Sequence, residues 1–446
     1  MLSGVYAVFG PSILAERATG LVYRLLILGA VFCIARRWGL ALAGGATLIA
    51  GVVSLYVGVA AYAWMGGIAC AFWSIFIISK ADSRVRCFFS GLLGATALLF
   101  RPDLGPAMIL SALPLFLLMR RRAQGGYVAG IVAGLLPLAC LVVFVGTRPV
   151  LDNLLVYPVF HTSAGRRLPL FGAETWVIYL FFAHLVASLV NVVAGAYAVR
   201  VSRRDPHARL LLAAALLGLG LTHQAAQRID DTHVIFASFA SLGLLPLSLF
   251  VLLSAERFAL PIRSREWIAV ATVLVAIETF IPKIAISLCN DVGTAFASNA
   301  QTSFYLEKGN RAFSFGSIGP VRGTAEMFQR IDTLAFPGDR LFVGPADLRR
   351  TNYNDTFLYH MLPQLCPATY FLEMNPGSAN RANSRLASDI RTADWLILNR
   401  LYDNWREPNS SSSNGSDEPN AVVRTEFALC DEFGPYLLFQ RKSPRG

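Results

Sequence analysis

The sequence predicts an all-α polytopic membrane domain of about ten transmembrane helices, residues 1–288, followed by a small extracytoplasmic α/β domain, residues 289–446. Three observations predict it. Of the 446 residues 55% are hydrophobic and only 15% charged, with a mean hydropathy of +0.52, far from soluble globular values. Apolar runs with few or no charges, close to the thickness of a bilayer core, recur as far as residue 287 and then stop. Basic residues gather in alternate short loops, so the net charge of +11 reflects topology and no nucleic-acid partner is expected.

Apolar runs place spans at about 18–35, 87–100, 104–119, 127–146, 175–198, 210–224, 234–254 and 267–287. The stretch 38–79 holds no charged side chain, is too long for one span, and divides near Ala60 to Trp64. One set of loops carries Arg36, Arg37, Lys80, Arg84, Arg86, Arg120, Arg121, Arg122, Arg200, Arg203, Arg204, Arg209, Arg257, Arg263 and Arg265. The opposite set carries only Arg101, Arg148, Arg166, Arg167 and Arg228. The richer set is cytoplasmic, and its acids, Asp82, Asp205, Glu256 and Glu266, leave it with a charge equal to that of the whole chain. Residues 1 to about 17 and everything after about 288 then lie outside. The sequence shows no signal peptide or helix ahead of residue 17 to export it, so an original first helix is expected to be missing.

After residue 288 the pattern changes. Arg340 to Gly344, Ala368 to Met374 and Trp395 to Asn399 read as buried strands, and Asn383 to Ala393 as a helix capped by Asn383 or Ser384. Their alternation predicts partly parallel pairing. Val422 to Leu429 and Tyr436 to Arg441 are spaced as a hairpin around Asp431 to Pro435, and Asn409 to Ser416 reads as a flexible surface loop. The seven cysteines show no metal-ligand spacing. Among Cys289, Cys366 and Cys430 in the outer domain, a bridge between Cys366 and Cys430 is one option, and spacing alone does not choose the pairing.

Candidate chemistry lies in the outer loops, where polar groups cluster at a membrane face. Arg101-Pro102-Asp103 is either a helix-loop-helix corner, with Pro102 fixing the turn and Asp103 capping the next helix, or a site where Arg101 grips a phosphate. Gln227-Arg228-Ile229-Asp230-Asp231-Thr232-His233 places one arginine, two carboxylates and a histidine at a helix start. It reads as a capped helix with an internal ion pair, or as substrate-binding Arg228, Asp230, Asp231 and His233 beside an anion-favouring N-terminus. Asp231 and His233 alone do not make a metal site, so neither metal nor cofactor is expected. The loop Thr147 to Thr175 carries Tyr157, His161, Arg166 and Arg167, with an interfacial stretch at Asn153 to Phe160. Arg17 and Arg24 share a helix face and are expected to snorkel, while Glu278 and Lys283 are expected to reach polar neighbours or the ends of the last span. No GxSxG, Walker, HExxH or GxGxxG motif is present.

Val8 to Arg17, followed by a helix ending Arg36-Arg37-Trp38-Gly39, resembles the segment after the first outer loop of bacterial GT-C glycosyltransferases, such as protein mannosyltransferases and aminoarabinose transferases. Arg101-Pro102-Asp103 is similar to a corner in those enzymes, and the resemblance covers residues 5 to 290. It implies transfer of a sugar from a polyprenyl-phosphate carrier to an extracytoplasmic glycan, lipid or protein acceptor, in a bacterial plasma membrane. Arg101 and Arg228 would hold the carrier phosphate, with Asp103, Asp230, Asp231 and His233 orienting sugar or arginine. The family's acidic pair, one member of which is the catalytic base, maps onto no residue here, so the catalytic residues are unknown and an inactive relative is an expected variant. A transporter of lipid-linked sugars or a non-enzymatic scaffold is the competing class, against which the scarcity of charge within the spans speaks.

Overall fold

The computed structural model describes residues 2–79, 83–161, 163–255, 261–296, 304–309, 311–315, 318–351 and 353–443; Lys80, Asp82, Glu256 and Arg257 of the charge count lie outside them. The chain forms two compact units, residues 1–154 with 170–292, and residues 155–169 with 293–446.

The first unit is helical. Its helices are α1 (Leu2–Phe9), α2 (Ile13–Ala35), α3 (Leu40–Leu55), α4 (Ala63–Ser79), α5 (Arg84–Phe100), α6 (Gly105–Leu117), α7 (Arg121–Gly134), α8 (Leu136–Val145) and α9 (Thr147–Leu151). After α10 (Ser163–Arg166), which belongs to the second unit, follow α11 (Thr175–Val201), α12 (Pro206–Gly220), α13 (Thr222–Gln227), α14 (Asp231–Ala255), α15 (Ile262–Phe280) and α16 (Pro282–Phe296). Every apolar run of the sequence is largely helical, and the 38–79 run breaks between Leu55 and Ala63. The chain is an integral membrane protein. Among the described residues five helical stretches are long and apolar enough to cross a membrane, six if α15 and α16 form one bent span, where the sequence suggested about ten. Leu40–Leu55, Ala63–Ser79 and Pro102–Leu117 are apolar but shorter. The run 267–287 is not one straight span: it bends by 88°, because Pro282 disfavours helical backbone at Ile281, whose φ is −138°. Glu278 and Lys283, on either side of that bend, are exposed.

Small residues bring α5 and α7 together. A Cβ at Gly130 would collide with the Phe88 carbonyl, one at Gly91 with the Tyr127 carbonyl, and one at Gly126 with the Arg84 carbonyl, the close approach that glycine permits between membrane helices. Between α11 and α14 buried polar groups bind across the interface: His184 bonds Ser241 Oγ at 2.8 Å and Thr222 Oγ1 at 2.9 Å, and Asn191 donates to the Ser241 carbonyl at 2.8 Å.

The second unit is α/β. Strands β1 (Phe304–Lys308) and β2 (Arg311–Phe315) form a hairpin, followed by α17 (Ile318–Leu334), β3 (Arg340–Pro345), α18 (Phe357–Met361), β4 (Cys366–Pro367), α19 (Leu386–Arg391), β5 (Trp395–Asn399), α20 (Glu418–Glu426), β6 (Phe427–Phe433) and β7 (Tyr436–Arg441). The main sheet has the order β4-β3-β5-β7-β6, with β3 parallel to β4 and β5, and β7 antiparallel to β5 and β6. Alternation along the strands sends Phe342, Leu396, Leu398 and Leu437 into one core with residues of α19 and α20. It sends Leu341, Val343, Trp395, Ile397 and Leu438 into a second core with residues of α17 and α18.

Four expectations are corrected here. Ala368 to Met374 is not a strand, because the buried Asp389 carboxylate takes the Tyr370 N–H at 2.8 Å in place of a neighbouring strand. Asn383 does not cap: its φ is +59°, in the left-handed region, and the helix starts at Leu386. Val422 to Glu426 is the end of a helix, not of a strand. Asn409 to Ser416 is tied down, with Ser411 buried and the Gly415 and Ser416 N–H groups donating to the Arg349 and Asn380 carbonyls, both at 2.8 Å. Cys366 and Cys430 lie on opposite edge strands of the sheet, about 19 Å apart at four strand spacings, too far for a bridge. Both, like Cys289, are free thiols.

Candidate functional site

At one end of the helical unit the α3–α4 loop, the α5–α6 corner, α13 and the start of α14 supply a continuous set of polar side chains. Arg101 ends α5, and its guanidinium makes a two-pronged bond to Asp103, Nε to Oδ1 at 3.0 Å and Nη2 to Oδ2 at 2.5 Å. Asp103 therefore does not cap α6; it restrains Arg101. The same carboxylate accepts the amide of Gln224, which ties the corner to α13. Arg101 also lies over the Trp64 ring, 5.3 Å from its centroid, a cation–π contact that leaves part of the guanidinium exposed. Trp64 in turn donates to the Phe236 carbonyl at 3.1 Å.

The second polar segment folds as a capped helix start. The Asp230 carboxylate accepts the His233 N–H at 2.8 Å, as an N-cap does. It also accepts Arg228 Nε at 2.6 Å and faces His233 Nδ1 at 2.8 Å. Burial pushes the Asp230 carboxyl up, and the hydrogen bonds from His233 and Arg228 outweigh it, leaving the group below its ordinary range. Asp231 accepts from the backbone and hydroxyl of Thr232, at 2.6 and 3.1 Å. His233 packs edge-on to Phe236, 6.4 Å between centroids, and Phe236 also meets Tyr62 at 5.2 Å and Trp64 at 6.2 Å. The two segments thus share one aromatic floor, which joins Arg101 and Asp103 to Arg228, Asp230 and His233, while Asp231 bonds only its neighbour Thr232 in the contacts described.

Three contributors had no strong sequence signal: Trp64, Gln224 and Arg24. Arg24 does not snorkel. It is 2% exposed and donates from Nη1 to the Gly20 and Ala60 carbonyls at 3.1 and 3.0 Å. Its Nε and Nη2 are buried without a protein partner, an unmet demand for acceptors that a buried guanidinium tolerates poorly. The α3–α4 loop reaches Arg24 because position 20 is glycine; a Cβ there would collide with the Val59 carbonyl. Glu16 fixes the same loop by accepting the Ala61 N–H at 2.5 Å.

An apolar groove of 240 Å³ is lined by Tyr23, Leu26, Gly66, Ala69, Cys70, Trp73, Ile77, Leu93 and Phe100. Tyr23 precedes Arg24, Phe100 precedes Arg101, and the two rings meet edge to face at 5.6 Å. From Gly66 to Ile77 the groove follows α4 for about 16 Å at the helical rise.

No protein-family model and no curated protein sequence matches this chain. Two cryo-electron-microscopy structures of the arabinofuranosyltransferase AftD from Mycobacteria are similar to it. The first, a mutant form, is 14% identical over 95% of this chain with a TM-score of 0.37; the second is 13% identical over 99% with a TM-score of 0.38. This chain spans about a third, 35%, of the length of either.

The second unit has its own polar cleft of 720 Å³ between α20 and the sheet, lined by Asp347, Arg349, Asp417, Asn420 and Arg424 above Leu398, Phe427 and Phe439. The Arg349 guanidinium beside Asp347 holds that carboxyl down at about 2. Nearby, at the end of β5, Asn399 donates to the buried Asp355, whose carboxyl is pushed up to about 6 by burial against the bonds it accepts. Residues 155–169 belong to this unit: Tyr157 bonds Ser378 and Arg166 bonds Asn375, while His161 stays exposed. Among the described residues no group of three or more His, Cys, Asp or Glu side chains is arranged to hold a metal.

Proposed function

We propose that this chain is a membrane glycosyltransferase of the GT-C kind that takes its sugar from a polyprenyl-phosphate carrier at the outer face of a bacterial plasma membrane. The observation that carries the proposal is the buried guanidinium of Arg24, two of whose nitrogens have no hydrogen-bond partner among the described residues, next in the chain to Tyr23 of the apolar groove. A lipid phosphate combines an apolar chain with an anionic head, and the groove supplies the first need while the unpartnered Arg24 nitrogens and the exposed edge of Arg101 supply the second. Arg228 completes a clamp in which forked guanidinium contacts stabilise the departing phosphate as the glycosidic bond breaks.

Asp103 and Asp230 restrain arginines and His233 turns with Asp230, so these groups position the donor instead of taking a proton from the acceptor. No general base is assigned to them. The acceptor is an extracytoplasmic glycan, lipid or protein, for which the mixed polar and aromatic cleft at Asp347 and Phe427 is a fitting surface. Membranes containing the chain, supplied with radiolabelled sugar on polyprenyl phosphate, should release label to endogenous acceptor, and Arg101→Ala should abolish that release. Binding of the carrier without any transfer would favour the competing reading, a transporter or scaffold for lipid-linked sugars.

A further inference from the structure

The opposite end of the same helices holds a different arrangement. A cleft of 1320 Å³ opens between α4, α5, α6, α7 and α12, and Arg84, Arg86, Arg120, Arg122, Arg204 and Arg209 line it. Its remaining walls include Ile78, Leu115, Leu118, Met119 and Ala123, and among the described residues no carboxylate lines it. Along α5 it lies about 25 Å from Arg101 at the helical rise, at the end that the arginine bias assigns to the cytoplasm.

Two features separate this cleft from an ordinary basic loop. First, α5, α7 and α12 all begin here, without an acidic residue in the first turn of any of them. Helix N-termini carry partial positive charge, so arginines at the start of α5 and α7 work against helix stability and raise the positive potential of the cleft. Second, among the described residues no ion pair involves Arg84, Arg86, Arg120, Arg122 or Arg204. The adjacent Asp205 is occupied in accepting the His207 N–H at 3.0 Å. The Gly126 and Gly130 contacts hold the α5 and α7 arginines close together.

We propose that this cleft binds an anionic phospholipid by its phosphate headgroup, with the acyl chains leaving along the apolar walls. The guanidinium ring meets phosphate oxygens, and Leu115, Leu118 and Ile78 favour a lipid over a free polyphosphate. Basic pockets between membrane helices at the cytoplasmic face have this recognition chemistry.

The test uses the full chain in phosphatidylcholine nanodiscs, with thermal unfolding followed as phosphatidylglycerol is added. Phosphatidylglycerol should stabilise the protein, and Arg84→Gln with Arg122→Gln should weaken its apparent affinity by about tenfold or more. Arg36→Gln with Arg37→Gln removes equal charge from the same end outside the cleft and should leave affinity within about twofold. Arg204→Gln, on an exposed turn, should show a smaller loss in the same direction and serves if the double variant does not fold. Equal losses in both double variants, or no preference for phosphatidylglycerol, would overturn the proposal. Stabilisation by inorganic pyrophosphate with none by phosphatidylglycerol would overturn the lipid assignment.

Discussion

At one end of the helical unit Arg101 and Arg228 each lie against a carboxylate that fixes their orientation, at 2.5 and 2.6 Å. At the other end six arginines line a larger cleft that, among the described residues, has no carboxylate in its walls. The same residue type, carried by the same helices, is used in two ways. Paired arginines lose part of their attraction for anions and gain a defined direction, which suits a reaction centre where a departing phosphate must be met at one place. Unpaired arginines keep their field and give up direction, which suits a headgroup held by charge and depth alone. The apolar surfaces differ too: a narrow groove of 240 Å³ at one end, open walls around 1320 Å³ at the other.

The largest expected effect comes from separating α5 and α7. Gly130→Val should drive a side chain into the Phe88 carbonyl and cost about 3 kcal/mol or more, at or above the upper range for overpacking, measured as thermal unfolding of the purified chain. An unchanged melting temperature would show that the close helix contact is not what gathers the inner arginines. Next in size is a pH effect in the α/β unit, a carboxylate outside both clusters. The Asp355 carboxyl is raised to about 6, so the stability it contributes is present below about pH 4 and is lost as pH rises through 6. Asp355→Asn should remove that slope and raise stability at pH 7 by on the order of 2 kcal/mol. Asp230 has the opposite sign. Its pKa is lowered, so the order it gives Arg228 is present above the usual aspartate range and is lost as pH falls through its folded value. Carrier binding at the first cluster should therefore hold through the ordinary aspartate range and weaken only below it, while phospholipid binding at the arginine cleft should show no such loss from the described carboxylates. A common acid limb at both sites would erase the distinction. The smallest effect is expected of Trp64→Phe, which removes the indole donor from the Phe236 carbonyl and should cost about 1 kcal/mol in unfolding experiments.

The sequence made the helices legible because bilayer burial demands uninterrupted apolar runs, and it made the outer polar segments legible because charge at a membrane face is rare enough to notice. It did not show how those segments are joined. Trp64 and Gln224 look like any tryptophan and glutamine until the fold sets one under Arg101 and the other against Asp103. Arg24 looked like a snorkelling side chain because helix spacing says nothing about whether the neighbouring loop closes over it, and that depends on the glycine at position 20. In the α/β unit β3, β5 and β7 were visible as continuous apolar runs. The hairpin β1–β2 and the helix α17 were not, and Ala368 to Met374 was misread, since a buried carboxylate can satisfy a backbone N–H as well as a strand can. Counted along the chain these arginines give only an orientation signal, and packing alone brings six of them around one cleft.

The central claim, that the outer arginines hold a lipid phosphate, is tested most directly by titrating a polyprenyl-phosphate analogue into purified wild-type, Arg101→Ala and Arg228→Ala protein, with thermal unfolding measured on each. The expected result is a loss of about 1.5–3 kcal/mol in binding for each variant, the scale of charged hydrogen bonds, with only partial recovery in the lysine variants, because a point charge cannot reproduce forked contacts. Melting temperatures that fall while affinity stays at the wild-type value in both alanine variants would contradict the claim and leave the two segments as capped helix corners.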